Sequence, residues 1–140
     1  MRIVLAADGS KYTKKALAFL ATHESLCGPE DEVLVLNVQA QMPPRVRSMV
    51  GAAAVNSYHE EEAAKVLDPI RRFLDRHKIV NRCEWKVGEP AAQVLAAVAR
   101  SKAHMIVMGT HGYGLIGRAV MGSVASRVLV DAQVPVLLVK

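Results

Sequence analysis

Five short apolar, β-prone runs, separated by stretches with helical spacing, constrain what this 140-residue chain can fold into. The runs cover residues 2–7, 32–38, 82–87, 103–108 and 134–139, each short and bounded by turn-forming residues, as strands are. Between them, Ala16, Phe19 and Leu20 fall on one face of a helix over 12–26, and residues 90–100 and 123–131 read as helices too. Strand and helix thus alternate from one end to the other. That order dictates a parallel sheet with helices on both faces, joined by right-handed crossovers. A chain of this length forms one domain, here taken as 1–140, with a sizeable core.

Local signals refine the pattern. Ser10 stands at the N-cap of the first helix, and Gly28-Pro29 is placed to end it. The run 32–38 is almost wholly apolar and belongs in the sheet centre, whereas 82–87 alternates polar with apolar, as an edge strand covered on one face does. Pro90 suits the first position of a helix. Ser57-Tyr-His-Glu60 has capping-box spacing, and Ala63, Val66, Leu67, Ile70, Phe73, Leu74 and His77 continue as one helical stripe. Pro69 interrupts that stripe, at a cost of about 3 kcal/mol in a helix interior, and predicts a kink, with a break as the further alternative. Residues 40–56, with Pro43-Pro44 and Gly51-Ala-Ala-Ala54, match no simple loop.

Composition narrows the function. No apolar run approaches the roughly 20 residues a membrane span needs, and the N-terminus enters a strand directly, without a signal peptide. Cys27 and Cys83 lie far apart without metal-ligand spacing, which suits reduced thiols in the cytoplasm. A net charge of +5 fits an anionic small ligand, but the basic residues are scattered and aromatics make up only 4%, so stacking platforms for bases are scarce. Neither a nucleic acid nor a membrane is expected as partner.

The segment from Gly109 to Ser123 carries the chemistry. It is glycine-rich, follows an apolar run and precedes a helix with a hydroxyl at its start. Such a turn leaves backbone N–H groups at the positive end of a helix dipole, an arrangement suited to phosphate. It is not a Walker A loop, because the nearby lysine, Lys102, precedes the strand. Gly112-Tyr-Gly114-Leu-Ile-Gly117 matches the dinucleotide fingerprint in letters only. It follows the fourth strand, and Asp131, the next acid, sits near the end of the helix. In an open parallel sheet ligands bind beyond the carboxyl ends of the strands where strand order reverses. If strand one neighbours both two and four, Asp8 faces the glycine loop across that crevice. A carboxylate there suits ribose hydroxyls or a magnesium ion accompanying phosphates.

Gly109-x2-Gly112-x9-Gly122-Ser123 also has the G-x2-G-x9-G-[ST] spacing of the ATP-binding branch of the universal stress protein family. Ile3-Val-Leu-Ala-Ala-Asp8-Gly-Ser10, Val107-Met-Gly-Thr-His-Gly112 and Pro135-Val-Leu-Leu-Val139 resemble that family as well, so the likeness spans essentially the whole chain. The resemblance implies a Rossmann-like α/β fold with a five-stranded parallel sheet in the order 3-2-1-4-5. It also implies a cytoplasmic homodimer acting in stress survival, with ATP, accompanied by Mg2+, as ligand. Position by position, it implies backbone contacts from Ala7 and Val38 to adenine, with Asp8 holding the ribose. Gly109 and Gly112 would let backbone approach the ribose and phosphates, Met108 is a further residue of the site, and Gly122, Ser123 and Val124 would bring N–H groups and a hydroxyl to the phosphates. Arg118 could either reach the outer phosphates or stand in solvent.

No Ser-His-Asp or metal-ligand spacing is readable, and His111 is the sole histidine of the loop, without a partner that sequence can name. The expectation is a regulatory binding module with at most slow ATP turnover. Two alternatives stay open: a slow ATPase or phosphotransfer enzyme of the adenylate-binding α/β class, and a dimeric adaptor with a vestigial site. An apolar C-terminal strand at a sheet edge would expose unpaired backbone groups, which pairing with a second copy would cover.

Overall fold

The computed structural model describes residues 1–112 and 121–140. The elements run β1 (Arg2–Ala6), α1 (Lys11–Thr22), β2 (Glu32–Gln39), α2 (Pro44–Val50), α3 (Ala52–Arg76), β3 (Val80–Val87), α4 (Pro90–Ser101), β4 (Met105–Gly109), α5 (Ser123–Asp131) and β5 (Val136–Val139). All strands are parallel in one sheet of order β3-β2-β1-β4-β5. The register Val4↔Leu34 and Val4↔Ile106 seats β1 in the middle.

The alternation of side chains along the central strands makes two cores. Ile3, Leu5, Val33, Val35 and Val107 point to the face covered by α1 and α3, where Leu17, Leu20, Leu67, Ile70 and Leu74 pack. Val4, Leu34, Leu36, Ile106 and Met108 point to the opposite face, against Val94, Ala97 and Val98 of α4 and Ala125 and Val128 of α5. Strands buried on both faces must be apolar at every position, which is why β1, β2 and β4 read as continuous runs. Cys27 and Cys83 are free thiols, and burial pushes both up from the ordinary thiol range. Among the described residues no helix is long and apolar enough to cross a membrane.

Three local expectations need correction. Helix α1 stops at Thr22, short of residue 26, because the ladder tightens, with His23 N–H on the Leu20 carbonyl, and the chain then turns, with Leu26 and Cys27 N–H both reaching the His23 carbonyl. The long helix starts at Ala52, so Ser57 lies inside it and caps nothing. Gly51, at φ 84°, separates α2 from α3 in a conformation other residues resist, and the alanines that follow are the strongest helix formers. Much of the unmatched 40–56 segment is therefore helical, with Pro44 at the first position of α2. Finally, α3 is continuous through Pro69, and no break occurs there. The proline is exposed, and its neighbours Leu67, Ile70 and Leu74 hold the helix to the sheet on the other side.

Pro69 removes the backbone bond to the Lys65 carbonyl and crowds it. Pro69→Ala restores that bond at a solvent-facing position, partly offset by a freer unfolded chain. The expected result is a stabilisation of about 1–2 kcal/mol in urea denaturation. An unchanged or lower midpoint would show that α3 already accommodates the ring without loss.

Candidate functional site

At the carboxyl ends of β1 and β4 a cavity of about 520 Å³ opens, within the usual size for a small-molecule site. Its floor is apolar: Leu36 and Val38 of β2, Met108 of β4, and Pro90 and Val94 of α4. Its polar groups come from the two loops that diverge there, Asp8 and Thr13 on one side and Thr110, His111, Gly122 and Ser123 on the other. The nine residues expected at a ligand site (Ala7, Asp8, Val38, Met108, Gly109, Gly112, Gly122, Ser123 and Val124) all line this one cavity. Arg118 and the rest of 113–120, including Gly114 and Gly117, lie outside the described residues.

The β1–α1 turn is built around Asp8. Gly9 takes φ 82°, and Ser10 N–H donates to Asp8 Oδ1 at 2.9 Å. Thr13 Oγ1 donates to the same oxygen at 2.9 Å and accepts Asp8 N–H at 3.1 Å. Ser10 holds the N-cap position by backbone alone; its hydroxyl caps nothing and is buried without a hydrogen-bond partner among the described residues. Asp8 is the one carboxylate among the described lining residues. No group of three metal-capable side chains occurs among the described residues.

On the floor, strand pairing sets which backbone groups face the cavity. Ala7 N–H donates to the Leu36 carbonyl at 2.9 Å, and Gly88 N–H donates to the Gln39 carbonyl at 2.9 Å. Backbone groups alternate sides along a strand, so Val38 turns its N–H and C=O toward β1, past the last rung at Ala6↔Leu36. Asn37 Nδ2 donates to the Ala7 carbonyl at 3.0 Å, so a ligand contact at Ala7 would use the second lone pair of that oxygen.

The β4 loop is held from three directions. Thr110 N–H donates to the Val139 carbonyl at 2.9 Å, and its own carbonyl accepts Gly122 N–H at 2.7 Å, which ties the two ends of the glycine segment together. His111 Nδ1 lies 2.9 Å from Thr110 Oγ1, and its ring packs 5.1 Å from the Tyr12 ring, so the histidine has partners on the site wall. A side chain at Gly109 would collide with Tyr12 Cβ, and one at Gly112 with Asp8 Oδ2. Gly122 precedes α5 in extended backbone (φ −71°, ψ 158°), with Ser123 opening the helix.

Sequence reasoning missed Thr13, Pro90, Val94 and Thr110. A hydroxyl five residues after an aspartate in a turn-to-helix segment was a usable signal for Thr13. Pro90 and Val94 needed the tertiary fold, since only the strand order brings α4 over β1 and β2.

The two glycines make separable expectations. Gly109→Ala forces β4 away from α1 and should destabilise the fold by about 1–3 kcal/mol, read by urea denaturation. Gly112→Ala meets only the end of the Asp8 side chain and should change stability less than Gly109→Ala; equal losses would contradict this placement.

Comparison with known proteins places this architecture. The universal stress protein family model matches residues 1–140. A universal stress protein of Thermus aquaticus is 45% identical over 140 residues, covering 99% of this chain and 97% of the relative. A structural-genomics target first described as a hypothetical protein superposes with a TM-score of 0.84 at 24% identity, covering 99% of this chain and 94% of that one. The universal stress protein of Archaeoglobus fulgidus in complex with dAMP superposes at 0.69 with 24% identity, covering 100% and 98%. An Arabidopsis thaliana family protein with AMP bound does so at 0.68 with 17% identity, covering 100% and 91%.

Proposed function

The chain belongs to the universal stress protein family, and from that premise we propose that it is an adenine-nucleotide-binding regulatory module, one domain over 1–140 acting as a homodimer, with ATP as ligand. The observation that carries this reading is the convergence of an apolar floor, a fixed carboxylate and a glycine-lined helix start on one cavity. A flat apolar base fits between Leu36, Val38, Met108 and Val94, and the Val38 backbone supplies one donor and one acceptor at its edge. Asp8 accepts hydrogen bonds from ribose hydroxyls. Gly109 and Gly112 permit close backbone approach, while Gly122, Ser123 and Val124 present N–H groups and a hydroxyl to phosphate at the start of α5. The family relatives crystallised with AMP and dAMP support this choice of ligand.

A magnesium ion fits the same arrangement, since Mg2+ is held by one or two carboxylates together with substrate phosphates and water. The ion would neutralise phosphate charge; Asp8, the one carboxylate among the described lining residues, would serve either the ribose or the ion, and with Asp8 on the ribose the ion would be held by phosphate oxygens and water. Among the described lining residues Asp8 and His111 are the side chains that could accept a proton; Ser10 and Thr13 hold the first, and Thr110 and Tyr12 the second. The reading is therefore binding with at most slow turnover.

The dimer reading rests on the edge of the sheet. β5 pairs with β4 on one side, its residues are half-buried, and Leu129 and Val130 of the adjoining α5 are exposed at 47% and 81%. A second copy pairing along β5 would cover that edge. Through Thr110, whose N–H bonds the Val139 carbonyl, the nucleotide loop is tied to the same strand.

Calorimetric titration with Mg-ATP, AMP and GTP tests the ligand class, with adenine nucleotides expected to bind and GTP to bind at least about tenfold more weakly, roughly the net worth of one hydrogen bond. Asp8→Ala should weaken ribonucleotides far more than inorganic phosphate, and Gly122→Val should abolish nucleotide binding while the fold persists. Equal losses for nucleotide and phosphate in Asp8→Ala would remove the ribose assignment. Light scattering on the eluting protein is expected to give twice the chain mass, and a monomer would remove the dimer.

A further inference from the structure

We propose that Thr13 is a positioning residue: its hydroxyl fixes the Asp8 carboxylate and so sets how strongly the pocket discriminates ribonucleotides from 2′-deoxyribonucleotides. The inference rests on the adenine-nucleotide reading above and assigns one determinant of its sugar selectivity.

Thr13 lies in the first turn of α1 and is 3% exposed. Its Oγ1 both accepts Asp8 N–H at 3.1 Å and donates to Asp8 Oδ1 at 2.9 Å, so one side chain grips the backbone and the carboxylate of the same residue. A hydroxyl has one proton to give, and Thr13 spends it on Oδ1. Although Thr13 lines the cavity, it therefore acts on a ligand through Asp8 and not as a donor itself. Ser10 N–H donates to the same oxygen at 2.9 Å. Rotation of the carboxylate about its side-chain bonds would break both contacts to Oδ1 at once.

The other oxygen is placed by the opposite wall. A side chain at Gly112 would run into Asp8 Oδ2, so the β4 loop approaches that oxygen as closely as a glycine allows. The carboxylate is thus held between α1 and the β4 loop, in an orientation set before any ligand arrives. A carboxylate-to-hydroxyl bond is charge-assisted and directional, and it contributes fully only when the acceptor need not be immobilised on binding. Threonine suits the task better than serine, because branching at Cβ limits the rotamers from which the hydroxyl can point.

The test is calorimetric titration of AMP and 2′-dAMP into wild type, Thr13→Val and Thr13→Ser, with thermal denaturation followed on each. Wild type is expected to prefer AMP. Thr13→Val keeps the shape and removes the hydroxyl, and should lower the AMP preference about tenfold with a much smaller change for dAMP, as expected for a charge-assisted bond. Thr13→Ser should recover most of the preference. Should Thr13→Val fail to fold, Thr13→Ala reads the same ratio. An AMP-to-dAMP ratio unchanged in the hydroxyl-free variant, or an equal loss for both nucleotides, overturns the proposal while leaving the nucleotide reading intact. Wild type binding neither nucleotide overturns both.

Discussion

The parallel pairing of β1 with β4 is the constraint from which the site follows. These strands come from opposite ends of the chain, yet Ile3, Val4 and Leu5 lie in register with Met105, Ile106 and Val107. On one side of that seam the chain leaves β1 toward α1 and β2; on the other it leaves β4 toward α5 and β5. The two departing loops must diverge, and the gap between them is the cavity. Nothing in either loop alone makes a site. Asp8 without the β4 loop is an ordinary turn residue, and the glycines without Asp8 and the β2 floor have no apolar surface beside them.

The divergence leaves polar backbone beyond the last rung of the ladder, and most of those groups are accounted for locally. Asn37 reaches the Ala7 carbonyl, Thr13 takes the Asp8 N–H, and Thr110 exchanges bonds with Val139 and Gly122. Buried backbone groups without partners are costly, so these contacts stabilise the rim of an opening that the sheet itself cannot close. The same contacts fix the geometry of the rim. Stability and preorganisation here come from one set of hydrogen bonds, which is why a conservative change at Thr13, whose bonds are made by its side chain, is informative where deletions of core side chains are not.

The fold was legible because its signal is carried by hydrophobic periodicity. Strands buried on both faces, such as β2, carry an apolar run (residues 33–36) that leaves little to confuse the reading, and the edge strand β3 was betrayed by alternation. The ends of helices were less legible. Ser57 carried a good capping pattern and lost to the alanines that follow Gly51, because helix propensity over several residues outweighs one cap. Pro69 looked like a breaker, but tertiary packing of its buried neighbours holds α3 together. The glycine loop could be read from spacing and Asp8 from its place at the end of the first strand, whereas Ala7 and Val38 came from the family resemblance alone. Thr13 acts through another side chain, and Pro90 and Val94 reach the cavity only through the fold, so the sequence pattern did not single them out.

The arrangement also bears on how a binding event could be felt elsewhere. Thr110 sits in the site wall and its N–H ends on the last residue of β5. A ligand that pulls the glycine segment toward Asp8 acts on Gly122 and Thr110 together, since their backbones are joined by a 2.7 Å bond. A displacement of Thr110 therefore loads its bond to Val139 as well as its bond to Gly122, the N-cap residue of α5. β5 is the shortest exposed edge of the sheet, with four residues, and so is the element whose position one lost or strained rung changes most. Under the proposed reading, the sheet edge that would pair with a second copy is thus joined through one backbone bond to the wall of the pocket.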